Sequence, residues 1–157
     1  MADGILRVLR EKSDFVASGI VSNQFLLELI VFHFHIIDRM AFDRLDPESR
    51  SAVLDGVFAV VLAWAIGQDF ALAAAFQDLC ARRQEQYSDY QQWFAEPNEP
   101  DAGTLFWEAS KILTRSAGAS SEDPRDFLPF NVTISSFTLA FLRELDFAGI
   151  LESPFEE

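Results

Sequence analysis

The chain has 157 residues, 16 of them Phe, and a formal net charge of −13 from 25 acidic and 12 basic residues. That length suits one domain with a core of its own. The charge excludes attraction to nucleic acid or to an anionic membrane surface, which needs Lys and Arg.

The single cysteine, Cys80, leaves no disulfide within the chain. The N-terminus lacks an apolar run of signal-peptide length. The longest apolar run, Gly56 to Ile66, is short of the ~20 residues that cross a bilayer. The expectation is a soluble, cytoplasmic protein with no membrane and no nucleic-acid partner.

In chain order, Ile5, Val8, Leu9, Phe15 and Val16 recur at helical spacing among charges and predict a short amphipathic helix over 4–17. Gly19 and the Ser22-Asn23 pair interrupt it. A second helix is predicted over 23–45, around FLLELIVFHFHIIDRMAF. Asp46-Pro47-Glu48 then reads as the start of a third, with a capping Asp, Pro in the first turn and an acid at the positive end of the dipole.

This third helix, over 47–66, is apolar almost all round from Ala52 and is expected to be buried. Gly67 is its stop. Asp69 opens a fourth helix that runs as far as Phe94, with Arg83 and Gln86 on its apolar stripe. Pro97 and Pro100 forbid a regular helix in the acidic loop that follows.

Asp101 or Thr104 caps a fifth helix over 104–117, ended by Gly118. Residues 118–130 read as the longest loop. A last helix is expected over 131–150, where Ile134, Phe137, Phe141, Leu145 and Ala148 hold a helical period. The fold class is therefore all-α: a single domain spanning 1–157, a bundle of five to six helices around two apolar central helices.

Two constellations are candidates for function. Glu28, His35 and Arg39 share a narrow sector of the second helix, and Asp38 neighbours His35 three residues on. Glu28, His35 and Asp38 resemble half of a carboxylate-rich metal site in a bundle. Against that, Glu-x-x-His occurs nowhere in the chain. The other readings of the stripe are a solvated face, or an ion-pair network in which Arg39 balances Glu28 and Asp38.

The second constellation is aromatic. Tyr87, Tyr90, Trp93, Phe94 and Trp107 flank an acidic loop, as a surface for a basic or apolar partner or as cover for the end of the bundle. Phe127-Leu128-Pro129-Phe130 is a core plug or a docking segment.

His33, on the opposite side from His35, reads as a hydrogen-bonded core histidine. Cys80 reads as structural, because no histidine stands by to act as its base. Asn131-Val132-Thr133 has the form of a glycosylation sequon, and in a cytoplasmic chain it offers only an N-cap. Phosphate-binding Gly loops, Gly-x-Ser-x-Gly and Cys-x-x-Cys are absent.

These readings lean away from an enzyme and identify no cofactor. They favour a module that binds a protein partner or its own copy. The alternatives are a metalloprotein or small-molecule enzyme using the polar stripe, and a Phe-lined ligand cavity between the second, third and last helices.

Overall fold

The computed structural model describes residues 23–68 and 70–144. It contains α1 (Asn23–Arg44), α2 (Pro47–Gln68), α3 (Phe70–Ser88), α4 (Leu105–Ser116) and α5 (Pro124–Glu144), with no strand among the described residues. The chain is all-α, as its periodicity predicts. The expected helix over 4–17, the cap at Asp69 and the stretch 145–150 lie outside the described residues.

The fold is built on α1, which packs against α2, α3 and α4. It buries side chains on opposite sides. Phe25, Leu29, Phe32 and Ile36 enter a core with Leu105, Phe106, Leu113 and Phe130 of α4 and α5. Leu27 and Val31 enter a second cluster with Phe76 and Leu79 of α3. Phe32 is the hub of the larger core, edge-on to Phe106 at 5.4 Å and to Tyr87 at 5.8 Å between ring centroids.

The start of α2 follows the sequence signals, whereas its end runs through the expected stop at Gly67 to Gln68. Asp46 caps it, its Oδ1 accepting the Glu48 and Ser49 amides at 3.0 Å each, while Ser49 Oγ donates to Oδ2 at 2.7 Å. Those hydrogen bonds, led by the Ser49 amide, hold the Asp46 carboxyl below its usual range.

The burial expected of α2 is different. Of its described side chains, Val53 alone is fully enclosed, while Ala59, Val60 and Ala63 are exposed. The reason is topological. Helices α2 and α3 form a hairpin laid against one side of α1, so an apolar perimeter has only half its circumference to bury.

Two boundaries also differ from the sequence reading. Helix α3 ends at Ser88 rather than Phe94. Beyond it, tertiary partners take the carbonyls: Arg39 binds those of Tyr90 and Gln91, and the amides of Leu105 and Phe106 bind those of Gln92 and Trp93. The expected loop over 118–130 is shorter, because α5 starts at Pro124 and carries Pro129 inside it.

Asp123 caps α5, accepting the Arg125 amide at 2.9 Å, and the buried Phe127 and Phe130 anchor its first turns. Asn131 is therefore within a helix rather than at a cap, and its Oδ1 accepts a hydrogen bond from Ser110 Oγ at 3.0 Å. Gly118, with φ +83°, ends α4 in the left-handed region where Gly is favoured.

Candidate functional site

The polar stripe of α1 faces α3 and is buried. Glu28 is 2% exposed and is held by Arg83 through two hydrogen bonds: Nε to Oε2 at 2.8 Å and Nη2 to Oε1 at 2.6 Å. Gln24 Nε2 adds a third at 3.2 Å, and Arg83 Nη1 also binds Gln86 Oε1. This is the fork-to-fork geometry that best offsets carboxylate desolvation. The Glu28 hydrogen bond raises the Arg83 pKa above its usual value.

Nearly three turns on, Asp38 accepts from Arg50 Nε at 2.8 Å, with Nη2 at 2.6 Å, and from Gln84 Nε2 at 2.7 Å. Because the Gln84 amide nitrogen faces Asp38, its oxygen faces His35 Nδ1 at 3.2 Å. Nδ1 is then the donor, and Nε2 carries a lone pair. That Nε2 is buried without a hydrogen-bond partner, as is the Tyr87 hydroxyl of the neighbouring ring, 5.3 Å away between centroids. Burial lowers the His35 pKa and raises that of Tyr87.

The structure thus places Glu28, His35 and Asp38 on one buried face without making them a ligand set. Each has its own partner on another helix. Among the described residues, no group of three His, Cys, Asp or Glu side chains could hold a metal ion.

The ion-pair network forms, but Arg39 is outside it. Its guanidinium donates to the Tyr90 and Gln91 carbonyls at 2.6 and 2.7 Å, beyond the end of α3, with Trp93 5.8 Å away. This satisfies terminal carbonyls much as a cationic C-cap does. The counterions are Arg83, visible in the sequence only as a member of an apolar stripe, and Arg50, which carries no sequence signal.

Below the stripe, a cleft of about 520 Å³ is lined by His35, Asp38, Arg39, Arg50, Gln84 and Gln91, among others. Of its charged groups, Asp38 and Arg50 pair with each other and Arg39 binds backbone carbonyls, whereas Asp43 and Glu85 make no ion pair among the described residues. At its edge, Phe42 is 67% exposed beneath the Arg50 guanidinium at 5.0 Å.

The aromatic candidates divide. Tyr87 is fully buried. Phe94, 40% exposed, stacks on buried Phe106 at 4.3 Å, and Trp93 packs against the same ring at 6.3 Å. Tyr90 packs against the core beside them. Trp107 meets Phe127 edge-on at 4.5 Å, with its Nε1 buried and unpartnered.

His33 is the hydrogen-bonded core histidine that the sequence suggests. Its Nδ1 donates to the Leu29 carbonyl at 2.8 Å and its Nε2 accepts from Thr138 Oγ1 at 3.1 Å. Burial lowers its pKa to about 4. Burial likewise pushes the Cys80 thiol up to about 11, so the neighbouring arginines do not activate it.

No helix among the described residues is long and apolar enough to cross a membrane. No family model matches the chain, and no curated protein or solved structure matches it significantly.

Proposed function

We propose that this protein is a non-enzymatic helical interaction module whose contact surface is the outer face of the α2–α3 hairpin. The observation that carries this reading is Val60, 61% exposed between exposed Ala59 and Ala63. These residues belong to a run, Gly56 to Gly67, that has no charged side chain. Burying a Val side chain contributes about 1.5–3 kcal/mol, so a partner covering this face gains what the fold leaves unused. The polar stripe, by contrast, uses its charges internally.

The test is Val60→Glu, read by sedimentation across a concentration series and by apolar-dye binding to the native protein. Association or dye binding in the wild type, lost in the variant with its unfolding curve unchanged, is the expected result. A wild type that stays monomeric and binds no dye overturns the reading.

A second reading, small-molecule binding in the cleft beside His35, is favoured by the buried lone pair at its Nε2. It predicts ligand-induced thermal stabilisation that disappears in His35→Ala. No stabilisation from any member of a polar metabolite set sinks it.

A further inference from the structure

Phe58 of α2 stacks on Phe76 of α3 with centroids 5.7 Å apart. The two helices are consecutive in the chain, so this contact requires them to run antiparallel, and it sets their register. Stepping equally from it puts Ala59 and Val60 level with Ala75 and Ala74, and Asp55 level to within one residue with Asp78. All six residues are exposed.

The outer seam of the hairpin therefore has small apolar side chains over its middle and a carboxylate from each helix at one end. Among the described residues, neither carboxylate is matched by a cation. Asp55 has only Ser51 Oγ at 3.4 Å, and Asp78 makes no ion pair among the described residues, even with Arg82 one turn on.

Resting on the reading of this face as the contact surface, we infer that its occupant is an amphipathic helix from another protein with basic residues at one end. Small side chains along the seam let a helix axis approach closely, so the partner supplies the larger apolar residues. Its Lys or Arg end lies over Asp55 and Asp78, which fixes its direction along the seam. A second copy fits less well. It brings a further net charge of −13, and with the seams parallel it sets carboxylates against carboxylates.

The probes are two labelled synthetic helices of Leu and Ala, one with two Lys at a terminus and the other with two Glu there. Their binding to the full chain is followed by fluorescence anisotropy. The Lys helix is expected to bind, and the Glu helix to bind about threefold to tenfold more weakly, the range two exposed ion pairs allow. Asp55→Asn/Asp78→Asn removes that difference, and Val60→Glu removes binding of both.

Equal binding of the two helices, lost in Val60→Glu, overturns the charge inference and leaves the contact face standing. Binding indifferent to Val60→Glu overturns both. No binding of either helix overturns the inference, whether or not sedimentation shows a Val60-dependent dimer. Binding seen only after removal of residues 1–22 also overturns it, in favour of the chain's own N-terminal segment.

Discussion

The inner face of α1 and the outer face of α2 exchange the usual roles of polar and apolar surface. Glu28, His35 and Asp38 are buried, whereas Ala59, Val60 and Ala63 are in solvent. A buried carboxylate costs several kcal/mol in desolvation, and a bidentate Arg offsets that only with good geometry. What the stripe provides is register. Glu28–Arg83, Asp38–Gln84 and Arg39 on the Tyr90 and Gln91 carbonyls tie α1 to α3 and its exit at both ends of the stripe, so the two helices run in the same direction without sliding. The outer face has no such internal task, and its apolar side chains are therefore the ones free to meet a partner.

The largest effect that separates the two faces is at the buried ion pair. Arg83→Ala leaves the Glu28 charge uncompensated and should lower unfolding free energy by about 3–5 kcal/mol in urea titrations. Replacing both partners with apolar residues of similar size should recover most of that loss. If Arg83→Ala is neutral, the stripe is not a structural tie.

Acid comes next. His33 is held neutral in the fold with a pKa of about 4, against an unperturbed value near 6.5. The unfolded chain therefore takes up this proton first as pH falls. The contribution of His33 is fully present above about pH 6.5 and is lost progressively down to pH 4, by about 3 kcal/mol in all. Unfolding midpoints of the wild type and His33→Gln across this window check the sign. A wild type no more acid-sensitive than the variant contradicts it.

A smaller loss is expected from Thr138→Val, which leaves the His33 Nε2 lone pair buried and unpaired, at about 1–3 kcal/mol. The least effect on stability belongs to Val60→Glu, within about 0.5 kcal/mol by denaturation, because its side chain already faces water.

Much of the fold is legible in the sequence for local reasons. Asp46-Pro47 and Gly118 act within a turn of where they stand, and α1, α2 and α4 have the expected extents to within two residues at each end. The misjudged boundaries depend on distant partners. The exit of α3 is pinned by Arg39 from α1, and the start of α5 by Phe127 and Phe130 packing into the core. The site is less legible for the same reason. The period of α1 groups Glu28, His35 and Arg39, but periodicity says nothing about which helix lies opposite. It therefore gives Arg39 the counterion role that Arg83 and Arg50 fill. The exposure of α2 is likewise set by its neighbours rather than by its own residues.

Apolar-dye binding to the native protein, wild type against Val60→Glu, tests the central contrast most directly. The outer face of α2 being an open contact surface predicts strong dye fluorescence in the wild type that falls sharply in the variant, with the two unfolding curves superimposed. Equal fluorescence from both proteins, or its absence from the wild type, would contradict it.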